Sequence, residues 1–155
     1  MRRIEWMKQS PRNIAITTDI IVGFPGETAQ DFEQTLSLLD EVEYESMFSF
    51  KYSPRPNTPA LKLEEQIPET EKSRRLLVLQ EKQRAIQIRR NAELVGEIQE
   101  VMVEGFNAGT GQWIGRTGQH RTLNFTAAAG IVPGTYHQVR ITRSGPNSLA
   151  GEWAA

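Results

Sequence analysis

The sequence contains no cysteine in its 155 residues. That single absence excludes disulfides, thiolate zinc sites, cysteine nucleophiles and any iron–sulfur cluster held by this chain's own thiolates. Histidine is scarce as well: His120 and His137 have no metal-ligand spacing, and no serine stands in a nucleophile elbow. No apolar run approaches the length needed to span a bilayer, and Arg2-Arg3 leads into polar residues. Neither a membrane segment nor a signal peptide is expected, and a cytoplasmic location follows by default. The net charge of −1 gives no overall pull toward nucleic acid, so only the distribution of charge is informative.

What is present centres on Thr17-Thr18-Asp19-Ile20-Ile21-Val22-Gly23-Phe24-Pro25-Gly26-Glu27-Thr28. The β-branched run from Ile14 to Val22 reads as a strand buried on both faces of a parallel sheet. Gly23 and Gly26 permit backbone angles that a side chain forbids, and Pro25 fixes the turn between them. Thr28 is placed to cap the next helix, with Asp31 as reciprocal partner. Ligands of parallel α/β folds bind past the carboxyl ends of strands, so the turn is either a ligand site or a plain strand-to-helix connection. Asp19 and Glu27 bracket it and can orient a ribose or an amino group, although helix capping accounts for Glu27 equally well.

Residues 1–8 carry Ile4 and Met7 at helical spacing, and Ser10-Pro11 ends that segment. After the turn, Phe32, Leu36, Leu39 and Val42 form one stripe of a helix from about Ala29 to Val42, with an acidic, solvated outer face. Ser46 to Tyr52 is a second, aromatic-rich strand, and strand, helix, strand is the right-handed crossover unit. Three prolines within Ser53 to Pro59 make a rigid loop whose one charged group, Arg55, is placed for a phosphate, a carboxylate or plain solvent. Ile67-Pro68-Glu69 opens a long helix reaching about Glu93, with a narrow apolar stripe of Leu76, Leu79 and Ile86. Arg74, Arg75, Lys82, Arg84, Arg89 and Arg90 make the rest of it basic, a candidate phosphate track partly balanced by Glu71, Glu81 and Glu93.

From Leu94 the pattern changes to short strands, 98–103, 112–117, 122–125, 136–142 and 149–153, punctuated by glycines at 105, 109, 111, 115, 118, 130 and 134. This spacing predicts a small, partly open antiparallel barrel of oligonucleotide-binding type. Glu93, Glu97, Glu100 and Glu104 come first, and Arg116, Arg121, Arg140 and Arg143 follow. The order allows one acidic and one basic face, or mixed solvation of both. The four arginines are candidate phosphate contacts. Trp113 and Phe125 are candidate stacking platforms, with barrel core the favoured alternative for both. His137 shares a strand face with Val139 and Ile141, which suits a core or rim histidine.

The turn at 17–28, the segment Phe48-Ser49-Phe50-Lys51-Tyr52-Ser53-Pro54-Arg55-Pro56-Asn57-Thr58-Pro59-Ala60 and the tail Pro146-Asn147-Ser148-Leu149-Ala150-Gly151-Glu152 together resemble the C-terminal part of the radical-SAM methylthiotransferases. The likeness covers nearly the whole chain in the family's order. It implies an α/β fold, part of a radical-SAM barrel over 1–66 with a linker helix over 67–93, followed by an all-β, OB-like TRAM domain over 94–155. It also implies S-adenosylmethionine beside Asp19, Gly23, Phe24, Pro25, Gly26, Glu27, Tyr52 and Ser53, and RNA on Arg55, Arg116, Arg121, Arg140 and Arg143. The partner implied is a tRNA anticodon stem-loop. The family's 4Fe-4S clusters need cysteines on N-terminal domains missing here, so this chain alone is expected to be inactive. A stand-alone RNA-binding protein is one alternative. A relative modifying a ribosomal protein is another, and Arg55-Pro56 argues for the tRNA branch.

Overall fold

The computed structural model describes residues 2–63, 66–127 and 130–154. Met1, at the start of the first expected helix, and Ala155, at the end of the expected barrel, lie outside the described residues. The chain divides into two compact units, Ile16–Ile86 and Gln87–Ala155 with Met1–Ala15. The first helix, α1 (Arg2–Lys8), buries no residue.

In the unit Ile16–Ile86, β1 (Thr17–Val22) and β2 (Ser46–Lys51) pair in parallel from Thr17↔Ser46 to Val22↔Lys51. Parallel neighbours need a crossover, and α2 (Ala29–Val42) supplies it. Thr28 and Asp31 form the expected reciprocal capping box, and Glu43, in the left-handed region at φ 55°, ends the helix. Phe32, Leu39 and Val42 of α2 are buried, as are Val22, Tyr44 and, from α3 (Glu69–Ala92), Leu79. Gln83 Nε2 donates to the Tyr44 carbonyl at 2.8 Å, and Lys82 pairs with Asp40 at 2.7 Å.

Two expectations fail in this unit. The first strand begins at Thr17 rather than Ile14, and it is not buried on both faces: Ile21 is 57% exposed while its neighbour Val22 is fully buried. The reason is topological, because β2 is its one strand partner among the described residues. The buried stripe of α3 also differs from the one expected. It runs Lys72, Arg75, Leu79, Gln83, Ile86, at the three- and four-residue strides of one helix face. Arg75 therefore belongs to the interior rather than to a basic outer face.

In the second unit β3 (Ile98–Asn107), β4 (Gln112–Thr117), β5 (Thr122–Thr126), β6 (Tyr136–Ser144) and β7 (Leu149–Trp153) close into a barrel in the order β3-β4-β5-β7-β6. The barrel is closed rather than partly open, and β5 and β7 run parallel while the other pairs are antiparallel. Alternate residues point inward and make one core of Val101, Val103, Leu123, Phe125, Val139, Ile141 and Leu149. Gly115 lies inside β4, the strand expected at 112–117, where a Cβ would come 2.4 Å from the Met102 carbonyl oxygen. It is required by close backbone approach across the barrel wall.

Candidate functional site

The turn after β1 is held from inside. Gly23 and Gly26 take φ values of 73° and 83°. A Cβ on Gly23 would come 2.4 Å from Lys72 Cγ, so glycine is required there for both angle and space. The Gly23 N–H donates to Glu27 Oε2, and Arg75 Nη1 donates to the same oxygen and to the Glu27 carbonyl, each at 2.9 Å. Arg75 Nε reaches Glu71 Oε1 at 2.8 Å, and Arg74 takes both Glu71 oxygens at 2.8 Å. The Arg75 and Glu27 side chains are 6% and 12% exposed. Burial works against the Arg75 charge, and hydrogen bonds to Glu71 and Glu27 more than offset it. Those from Arg74 and Arg75 bring Glu71 down to about 2. Glu27 thus closes the turn, and the helix cap is Thr28.

Beyond the carboxyl ends of both strands opens a cleft of about 750 Å³, whose walls include Ile21, Phe24, Tyr52, Ser53, Arg55 and Lys72. Phe24 meets Tyr52 edge-on, with centroids 5.1 Å apart. Lys72 Nζ lies 5.4 Å from the Tyr52 ring centroid and donates to the Tyr52 carbonyl at 3.4 Å. Tyr52 Oη is buried without a hydrogen-bond partner among the described residues. The cations Lys51, Arg55 and Lys72 and the carboxylate Glu69 line the cleft, and Glu69 is paired with Lys51. Aromatic walls beside Arg55 and Lys72 therefore suit a ligand with a flat heteroaromatic part and an anionic end.

Of the residues expected at a cofactor, the structure brings Phe24, Tyr52 and Ser53 together in this cleft, with Arg55 beside them. Gly23, Pro25, Gly26 and Glu27 build the turn, with Pro25 buried. Asp19 is exposed on the bare face of β1 and does not line the cleft. Lys72 was missed by sequence reasoning. Its only signal was its place three residues before Arg75 on the same helix face.

On the barrel, of the two arrangements the charge order allows, the structure shows the mixed one. β3, which carries Glu100 and Glu104, is hydrogen-bonded to β4 with Arg116 and to β6 with Arg140. Arg116 Nε pairs with Glu104 Oε1 at 3.2 Å. Arg121 Nη1 donates to Asn91 Oδ1 at 3.0 Å, and Arg140 Nη1 to the Gly96 carbonyl at 3.0 Å. Arg143 is exposed, and among the described residues no hydrogen bond or ion pair holds its guanidinium. Phe125 is fully buried and cannot stack on a base, whereas Trp113 is partly buried against Phe106 at 5.0 Å. His137 is a half-buried rim residue, 2.7 Å from the Thr135 hydroxyl.

The barrel belongs to a recognised class: residues 92–154 match the family model of the TRAM domain. The similarity continues far outside it. The chain is 66% identical over its full length to a tRNA-2-methylthio-N(6)-dimethylallyladenosine synthase of Solibacter usitatus, covering 36% of that protein. It is 58% identical over 98% of its length to the protein of the same name from Koribacter versatilis, and 41% over 98% to that of Aquifex aeolicus. The chain thus carries a TRAM domain and is similar to these synthases along nearly its whole length, and it spans about a third of the length of the curated relatives it matches.

Proposed function

We propose that this chain is the C-terminal portion of a radical-SAM enzyme that places a methylthio group on C2 of isopentenylated adenosine beside the tRNA anticodon. The observation that carries this reading is the similarity over the whole chain, 66% identity across a stretch that contains both the strand-end cleft and the TRAM barrel. A shared TRAM domain alone would support only RNA binding.

In this reading residues 1–66 are part of a radical-SAM barrel, 67–93 a linker helix, and 94–155 the RNA-binding domain. The exposed face of β1 and β2, with Asp19, Ile21, Phe48 and Phe50, would be covered by strands of a larger barrel. S-adenosylmethionine would be held by the cleft's own residues: Phe24 and Tyr52 would flank a flat ring, Ser53 would offer a hydrogen bond, and Lys72 and Arg55 would answer a carboxylate. When bound, it supplies the radical-forming group. The clamp of Glu27 and Arg75 keeps the turn rigid, and the aromatic walls exclude water. A 4Fe-4S cluster does not fit this chain, which has no thiolate and, among the described residues, no group of three or more possible metal ligands.

The TRAM barrel would hold the anticodon stem by phosphate and 2′-hydroxyl contacts, leaving the loop free for modification. Arg116, Arg140 and Arg143, with Arg55 at the cleft, are its phosphate contacts, whereas Arg121 acts through Asn91. A second reading, an RNA-binding protein without catalysis, is favoured by the closure of the barrel, which needs no other strand. Among the described residues no helix is long and apolar enough to cross a membrane, in keeping with a cytoplasmic tRNA-modifying enzyme.

A chimera decides between the two. These 155 residues would replace the matching third of the Solibacter usitatus relative, in cells lacking their own enzyme. Mass spectrometry of digested tRNA is expected to show the methylthiolated adenosine. Unmodified tRNA from a well-expressed chimera would leave the binding protein as the better reading.

A further inference from the structure

The barrel carries a second concavity, of about 160 Å³, on its outer wall. Its position follows from register. Inward-facing Leu123, Phe125, Leu149 and Ile141 leave Asn124 and Ala150 pointing out, side by side on the parallel pair β5 and β7. Between β6 and β7 the register slips after Ile141↔Gly151, so that Arg143, instead of Thr142, stands opposite Ala150. The bulge therefore completes a transverse row of Ile114, Asn124, Ala150 and Arg143 across four neighbouring strands. Ala150, the smallest member, forms its floor.

The lining chemistry is selective. Gln112, Asn124, Arg143, Ser144 and Ser148 surround the floor, and no carboxylate does. Among the described residues the Gln112 and Asn124 carboxamides and the Arg143 guanidinium have no hydrogen-bond or ion-pair partner. The other arginines of the barrel are engaged, Arg116 by Glu104, Arg121 by Asn91 and Arg140 by the Gly96 carbonyl. The far rim is fixed: Gly145 N–H donates to the Ser148 carbonyl at 2.8 Å, and Asn91 Nδ2 donates to the Gly145 carbonyl at 2.8 Å. Asn91 is 3% exposed and is itself held by Arg121.

A free small molecule needs a pocket of roughly 300 Å³ or more to bury most of its surface, about twice what this concavity offers. It suits a protruding part of a larger ligand. A guanidinium answers a phosphate, and neighbouring carboxamides, each donor and acceptor at once, answer the edge of a base. We propose that this concavity is a subsite for one nucleotide of the bound RNA, its phosphate on Arg143 and its base edge on Asn124 and Gln112. The inference rests on the RNA-binding reading of the barrel and gives it a location and a register.

The test is a salt titration of the full chain against a synthetic anticodon stem-loop RNA, with tryptophan fluorescence checking that each variant is folded. Arg143→Gln is expected to weaken binding about five- to tenfold at low salt and to reduce the salt slope by about 0.7–0.9, one phosphate's worth. Arg143→Lys is expected to restore the slope. Asn124→Ala is expected to weaken binding about three- to tenfold with the slope unchanged, since it removes a base contact and no charge. Wild-type binding that neither Arg143→Gln nor Asn124→Ala alters would overturn the subsite and leave the RNA reading standing. Failure of the wild-type chain to bind the stem-loop at any salt would overturn the RNA reading, and the subsite with it.

Discussion

In the barrel every strand is hydrogen-bonded on both sides, and the core lies wholly within the ring of strands. In the unit Ile16–Ile86, β1 and β2 have only each other among the described residues, and helices cover one face of the pair. Closure removes free strand edges and lets a short sequence bury all of its inward residues. The two-stranded sheet instead keeps Ile21, Phe48 and Phe50 in solvent at 57%, 69% and 52%. An apolar face of this kind marks a surface built to be covered. The first region is closed on itself, whereas the second packs an apolar core on one face of its sheet, with Val22, Leu39 and Leu79 fully buried, and leaves the other face bare.

The largest test of this contrast attacks the barrel. Phe125→Ala removes a fully buried ring from the centre of the core and is expected to cost about 3–5 kcal/mol. All three tryptophans, Trp6, Trp113 and Trp153, lie in the barrel's unit, so their fluorescence follows that unit alone, while helical circular dichroism also follows α2. A large loss in the fluorescence transition with little change in the helical one is expected. Coincident shifts would show that the units unfold together.

Next in size is the clamp. Arg75→Ala leaves the nearly buried Glu27 carboxylate without its guanidinium, and the expected cost is about 2–3 kcal/mol, since Glu71 on the other side keeps access to water. The helical transition should fall and the fluorescence transition should hold. An unchanged helical midpoint would show that the turn is kept by its glycines and proline alone.

Smaller again is the acid response. Hydrogen bonds from Arg74 and Arg75 hold Glu71 at about 2 in the folded chain, below its ordinary 4.5. A depressed carboxylate adds stability that is fully present above its unfolded value and fades as pH falls toward its folded one. The wild-type advantage over Glu71→Gln in the helical transition should therefore be constant above about pH 5 and shrink from there toward about pH 2. An advantage that grows on acidification would exclude the ion pairs as its source.

These tests separate what the sequence shows from what it conceals. The strand at 112–117, the helix at 29–42 and its capping box are local, set by alternation, stripe and cap, and they stand where the pattern puts them. Closure of the barrel is not local: it depends on β5 pairing with β7 across β6, which no stretch of sequence announces. The acidic and basic halves of the barrel sequence looked separable because they are separate along the chain, and antiparallel pairing brings Glu104 to Arg116. Arg75 read as surface because it is charged. Its burial was visible only in the stride from Lys72 through Leu79 to Ile86.

The last prediction concerns the bare sheet face, where the effect on stability is smallest and the contrast sharpest. Phe48 and Phe50 alternate along β2 beside Asp19 and Ile21 of β1, and in the isolated chain they bury little. Phe48→Ser with Phe50→Ser should therefore shift the unfolding midpoint by no more than about 0.5 kcal/mol per site, as exposed substitutions do, against several for the one ring of Phe125. Both aromatics belong to an apolar surface, so the same change should lower concentration-dependent association in sedimentation velocity. Limited proteolysis of the wild type should also cut within 16–66 first and leave a fragment close to 94–154. If the double variant instead unfolds as readily as Phe125→Ala, the two rings already carry the fold of their unit, and the face is a core in its own right. If association is unchanged while stability holds, the bare face is tolerated in water, and self-association must come from another surface.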